Sequence, residues 1–231
     1  MPSNDWPREE FPQAHRPSPT AAPASIAALW PLYIFLRPRR FYESLALVHT
    51  RSLTFACVMV FGVSHAMGRA ESNAARIPAL ASSWSTYWGV VAVGGTLAAA
   101  VTLVIGGWWY RTRLRWSGVE TPDKAVSNRV YVSAAQVFAM PNVIVTACAA
   151  PFFATPLDWF QSDASMTWAL LLLPLILYSF VVSYIGVRTV FDARPWPARI
   201  WFLALPVALI LGVFGLAVLA ALAIQGAPSA P

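Results

Sequence analysis

Charge is what this sequence has least of. Of 231 residues, 26 are charged, which is 11% against about 25% in an ordinary soluble domain, while 58% are hydrophobic. That many apolar side chains cannot fit into one core of this size without leaving broad apolar patches in water. A water-soluble fold is therefore excluded, and the mean hydropathy of +0.57 agrees. Cysteine is nearly as scarce: Cys57 and Cys148 lie in separate apolar stretches without partners at metal-ligand spacing, and both read as buried, inert packing residues. His15, His49 and His65 are too scattered for a metal site, and His65, beside Ser64, reads as a hydrogen-bonded packing residue. HExxH, GxSxG and GxxxxGK[ST] are all missing. Apart from Arg199, which opens the last of them, none of the apolar runs set out below contains an Asp, Glu, Lys or Arg, the residues on which intramembrane catalysis and ion pumping usually rest. No catalytic, cofactor-binding or metal-binding residue is expected, and a non-enzymatic protein is.

What is present is a sequence of apolar runs behind a polar tail. Residues 1–24 hold six prolines among polar residues, a composition that cannot offset chain entropy and reads as a disordered tail. Residues 25–51 form an interfacial, amphipathic segment. Ser25 to Leu36 is apolar but too short to cross about 30 Å of hydrocarbon, and Arg37 to Thr50 places Phe41, Tyr42, Leu45 and Val48 at helical spacing with Arg39, Arg40 and Glu43 off that stripe. Five membrane spans are then expected within residues 52–225, at about 52–68, 84–110, 130–153, 166–187 and 199–224, leaving 226–231 as a short C-terminal tail. The fold class is all-α: a polytopic bundle of five transmembrane helices preceded by an amphipathic interfacial helix.

The basic residues fix an orientation. Six Lys or Arg precede the first span, and the successive loops and C-terminal tail then carry two, five, none, three and none. Alternate segments hold 14 against 2, so the positive-inside rule puts the N-terminus and the second and fourth loops in the cytoplasm and the C-terminus outside. A net charge of +6 divided among short loops in this way points to anionic lipid rather than to nucleic acid.

Three groups of residues carry the candidate interactions. Arg37, Arg39, Arg40, Phe41 and Tyr42 would form a surface hook for lipid or a partner, and Arg111, Arg113, Arg115 and Trp116 a loop that holds anionic headgroups. In the second span Gly94 with Ala98 and Gly95 with Ala99 put small residues four apart, a face for close helix packing within the bundle or against a second copy. In the third, Gln136, Pro141 and Asn142 form a polar kink that has to face protein rather than acyl chains.

In layout the chain resembles the Yip1 family of membrane proteins. The resemblance rests on an RPRRFYESL segment (Arg37 to Leu45) before the first span, a VGGT turn (Val93 to Thr96) in the second, a basic loop, and a stretch from Tyr131 to Pro141 opening the third, over roughly residues 37–225. It implies five transmembrane helices, a cytoplasmic N-terminus and a C-terminus on the far side. Eukaryotic relatives bind prenylated Rab-type GTPases and act in membrane trafficking. Their DLYGP element is absent here, so GTPase binding and its residues do not carry over. The composition is similar to the bacterial branch, which implies a bacterial inner membrane. Two other readings stay open: a small-solute permease or channel, whose mark would be a continuous polar path past Gln136, Asn142, Ser179, Ser183 and Tyr184, and an accessory subunit of a larger membrane complex.

Overall fold

The computed structural model describes residues 30–44, 51–74, 76–77, 79 and 82–226. The expected tail at 1–24, Leu45, Val48, His15 and His49 and the last five residues lie outside them. Among the described residues the chain is all-helical without strands, and five helices are long and apolar enough to cross a membrane. It is an integral membrane protein.

Two short helices come first, α1 (Trp30–Leu36) and α2 (Pro38–Glu43). Their prolines sit where a helix tolerates them: Pro31 and Pro38 fall at the start, where no intrahelical N–H is required. The chain then forms α3 (Arg51–Asn73), α4 (Trp84–Trp116), α5 (Lys124–Ala149), the short α6 (Pro156–Phe160), α7 (Asp163–Val190) and α8, which starts as Pro195–Arg199 and ends as Leu205–Gly226. Ser83, Asp123, Thr155 and Ser162 cap the starts of α4 to α7 through their side-chain oxygens, taking up backbone donors that lipid or the headgroup layer would otherwise leave unmet.

The spans are longer than the apolar runs suggested. Hydropathy marks only the part in hydrocarbon, whereas the backbone hydrogen bonds carry each helix on through its charged ends. The clearest case is α4, whose 33 residues reach roughly 50 Å at 1.5 Å per residue. Arg111 to Trp116 are therefore its last turns, not a loop, and the connection to α5 is only the stretch 117–123.

The centre of the bundle is α5, whose middle carries Gln136 and Asn142. Its buried residues include Ser133, Ala134, Ala135, Gln136 and Ala139, small or hydrogen-bonding side chains that let α3 and α7 approach its backbone on either side. On α4 the opposite pattern appears: Val90, Val93, Leu97, Val101 and Val104 are exposed as a stripe at helical spacing, the face that acyl chains cover. Cys57 is buried as expected, but Cys148 faces outward, because α5 near its end turns Ile144 and Cys148, one turn apart, to the outside. His65 also faces outward. Its ring meets Phe61 edge-on at 4.9 Å, and it lines a groove between α3 and α4.

The small-residue face of α4 is an intramolecular contact. Gly95 and Ala99 are buried against α3, and the sequence reading missed the partner that makes this possible. Gly62 stands opposite, where a Cβ would collide with the Gly95 carbonyl oxygen and lie 2.8 Å from the Ala99 Cβ. Gly94 and Ala98, half-buried, line the adjoining groove with His65 and Arg69.

Gly62→Val should lower thermal stability in detergent by at least about 1–3 kcal/mol through overpacking. Gly89→Ala, on the same helix as Gly95 but with open space around a new Cβ, should leave it equal or slightly higher. Equal melting temperatures for Gly62→Val and the native chain would show that the two backbones are not in contact.

Candidate functional site

One end of the bundle gathers the basic residues. The C-terminal ends of α4 and α7 and the N-terminal ends of α5 and α8 meet there, sharing a buried cluster that includes Tyr110, Leu114, Val130, Val187, Ala198 and Phe202. The two connecting segments at this end are tied together: the Arg194 backbone N–H donates to the Ser117 carbonyl at 2.8 Å, and Trp116 packs on Trp201 with ring centroids 4.3 Å apart. Arg188 closes the turn into α8 by donating to the Ala193 carbonyl. At the far end the aromatic rings dominate instead, with the Trp84 indole donating to the Phe153 carbonyl at 2.8 Å and Tyr87 packed among Trp84, Trp88 and Phe160. Both ends thus carry the amphipathic rings that settle at headgroup depth.

Onto the basic end folds the N-terminal pair α1 and α2. Part of their apolar surface turns into protein, with Ile34 and Phe41 fully buried and Tyr42 3% exposed, while Leu32 and Leu36 stay on the outside. The expected hook is therefore split. Phe41 and Tyr42 anchor the segment to the bundle and are not available to lipid or a partner, whereas Arg37, Arg39 and Arg40 remain exposed. The reason is a notch in α7 at Gly186, where a Cβ would come within 2.7 Å of the Tyr42 ring and 2.8 Å of Val130. A second tie uses an orphan carbonyl at the end of α1, since Tyr178 donates its hydroxyl hydrogen to the Phe35 oxygen at 2.7 Å. The Tyr42 hydroxyl itself is buried without a hydrogen-bond partner. Burial, with the Tyr110 phenol nearby adding to it, pushes its pKa well above the ordinary range.

The three arginines at the end of α4 part company. Arg115 and Trp116 are exposed on the rim, and Arg111 donates to the Asn128 side-chain oxygen at 3.3 Å. Arg113 is turned inward. Its guanidinium carbon stands 4.7 Å from the centroid of Phe202 and 5.3 Å from that of Tyr110, and its Nη1 donates to the Trp201 carbonyl at 3.3 Å. That carbonyl is free because of Pro206. Across the wide turn Ile200–Ala204 the Leu205 N–H bonds to Ile200, five residues back, so the next donor in line for Trp201 belongs to residue 206, a proline with no N–H. Arg113 supplies the missing donor, and so leaves the headgroup-facing set proposed from sequence.

The polar residues of α5 also lie inside. The Gln136 amide donates to the Cys57 carbonyl at 2.9 Å and to Val132 at 3.0 Å, while its own oxygen has no partner. Directly after Pro141 comes a second bridge, in which Asn142 donates to Ser64 at 3.1 Å and accepts from the Trp168 indole at 3.1 Å, joining α3, α5 and α7. These residues do not form one path. Ser179 and Ser183 line a cleft of about 210 Å³ with aromatic and alanine side chains, and Asn142 lines a different cavity of about 50 Å³. Among the described residues no group of His, Cys, Asp and Glu is placed to hold a metal ion.

Comparison of the chain with protein-family models, with characterised proteins and with solved structures returns no match.

Tyr42→Phe should keep or raise stability, because it removes a buried hydroxyl without a partner. Since the folded protein resists ionising this phenol, native stability should fall as pH climbs past about 10, and less steeply in the Phe variant. Gly186→Val should instead unseat α2, read as much faster tryptic cleavage at Arg37, Arg39 or Arg40 with the rest of the bundle intact. Cleavage at the native rate would mean that Gly186 does not hold the segment.

Proposed function

We propose that the chain is a non-enzymatic membrane protein of Yip1 type that binds anionic lipid headgroups or partner membrane proteins through its cytoplasmic end. The observation that supports this reading is the convergence of exposed cations at one end of the bundle: Arg37, Arg39 and Arg40 from α2 and the residue before it, Arg115 from α4, and Arg188, Arg194 and Arg199 around the start of α8. Among the described residues a single ion pair offsets them, Arg39 to Glu43 at 3.1 Å. An unneutralised ring of this kind draws anionic lipid at about 1 kcal/mol per basic residue near the surface. The charge asymmetry also supports a cytoplasmic basic end, with the C-terminus outside. The permease reading draws less support, because the polar residues it needs fall in separate places. The accessory-subunit reading uses the same rim, with protein in place of lipid.

Replacing Arg40, Arg115 and Arg194 by Glu tests the rim, as all three are exposed. In nanodiscs the variant should retain several-fold less anionic lipid than the native chain, with the native effect weakening as salt rises. Unchanged retention, with folding intact, would dismiss lipid binding at the rim. Tags at the two termini should be reachable from opposite sides of the membrane, and tags reachable from the same side would dismiss the orientation.

A further inference from the structure

We infer that the cleft beside Arg113 seats a single anionic amphiphile, with its acid group on the guanidinium and one acyl chain running between α5 and α7. The inference rests on the anionic-lipid reading of the same end of the bundle but uses different residues.

Arg113 presents an incomplete account of its own charge. It lies in the last turns of α4, its Nε is buried without a hydrogen-bond partner, and its contacts are a carbonyl and two aromatic faces. No carboxylate pairs with it among the described residues. A cation withdrawn from water to this degree is costly unless an anion compensates it, and a guanidinium suits the oxygens of a phosphate or carboxylate.

Next to it is room for such a group. Arg113 lines the cleft of about 210 Å³, together with residues on α3, α5, α7 and α8. Because α5 begins and α7 ends at the basic end, Tyr131, Ser183 and Phe202 stand near Arg113, and Phe138 and Ile176 lie about two helical turns deeper, roughly 10 Å away. Polar groups thus sit towards the headgroup side and apolar ones towards the bilayer centre, the polarity gradient of a lipid. The volume is below the roughly 300–1,000 Å³ of ordinary small-molecule sites, which suits part of one chain rather than a compact solute. On α8 only Phe202 contributes to the wall, and no described side chain beyond it is buried. The deeper walls at Phe138, Ile176 and Phe180 are half-exposed, so the cleft is open to the acyl layer, from which a lipid would enter.

The test uses the full-length chain, delipidated in mild detergent and followed by native mass spectrometry. The probes are phosphatidylglycerol, phosphatidylcholine with the same chains, oleate and inorganic phosphate. One tightly held phosphatidylglycerol or oleate per chain is expected, with phosphatidylcholine at least tenfold weaker and inorganic phosphate not retained; the stronger of the first two identifies the acid group. Arg113→Gln should weaken the tight event at least tenfold. Ser179→Phe and Ala135→Leu fill the cleft while leaving the arginine in place, and should do the same, so a folded variant of either kind decides the matter if Arg113→Gln does not fold. The triple rim variant should keep the tight event and lose only the weaker ones. Native-like binding by folded Arg113→Gln or by a folded cleft-filling variant overturns the inference, as does equal binding of phosphatidylcholine or retention of inorganic phosphate alone. Loss of the tight event in the rim variant alone would place the lipid at the surface and overturn the cleft while sparing the rim.

Discussion

Within the acyl layer there is no water to hydrogen-bond a polar group, and helices gain nothing from expelling lipid in favour of one another. The bundle is arranged around that constraint. Where helices touch, they do so through backbone, as at Gly62 and Gly95, because close approach is what dispersion rewards when the solvent is itself apolar. Four polar side chains reach a carbonyl or another polar side chain on a neighbouring helix: Gln136 to Cys57, Asn142 to Ser64, Tyr178 to Phe35, Arg113 to Trp201. Each of these bonds joins elements far apart in sequence, so the same constraint that forbids unmet polar groups also specifies which helices are neighbours.

The constraint is met unevenly along the bundle. The core formed by α3, α5 and the inner faces of α4 and α7 is held by these bonds, but among the described residues of α8 the buried side chains, Ala198 and Phe202, both lie in its first turns, where the Trp201 carbonyl is also bonded. Beyond Pro206 it is apolar on every side, with Leu209, Val213 and Leu216 all well exposed. A helix uniform in this way finds lipid as good a neighbour as protein. On α8 the cleft at Arg113 is lined by Phe202, the last buried side chain described on that helix. Packing at the basic end and looseness beyond it are two results of one sequence change, from the Trp-, Arg- and Phe-bearing start of α8 to its leucine- and valine-rich remainder.

Much of this was legible in the sequence, and the parts that were not share a cause. The apolar runs revealed the five spans, and the polar middle of α5 revealed that it needs protein around it, because both are properties of one segment measured against a uniform solvent. Depth and partner are pairwise properties and were not legible. Gly186 is an unremarkable glycine until Tyr42 is placed against it, and Phe41 with Tyr42 reads equally well as a lipid-facing stripe or as an anchor into protein. Gly62 could have been suspected, as a small residue in the span preceding the VGGT turn, but nothing in its own helix sets it apart from Gly68, which meets nothing. The helix ends were misjudged for a different reason, since hydropathy reports the solvent and not the hydrogen-bond ladder that continues past it.

Arg113 shows how far a single residue can depart from the group it belongs to. Arg111, Arg113 and Arg115 alternate in sequence and together read as one basic patch, yet on a helix successive residues are about 100° apart, so i and i+2 point to different sides. Tyr110 and Leu114, buried beside it, mark the face of α4 turned into the bundle, and positions 111 and 113 flank that face about equally, so the neighbouring helices decide between them: Arg111 meets Asn128 on α5 and Arg113 the Trp201 carbonyl on α8. The long stem of Arg113 lets the charged head reach across to α8 rather than back to the interface, and the missing N–H of Pro206 leaves a carbonyl there to receive it. The proline that loosens α8 from its own hydrogen-bond ladder is therefore what draws an arginine inward, and the arginine in turn leaves a cationic group facing a cleft. Two residues that are each awkward beside lipid thus leave, together, a guanidinium inside the bundle that no described carboxylate pairs with.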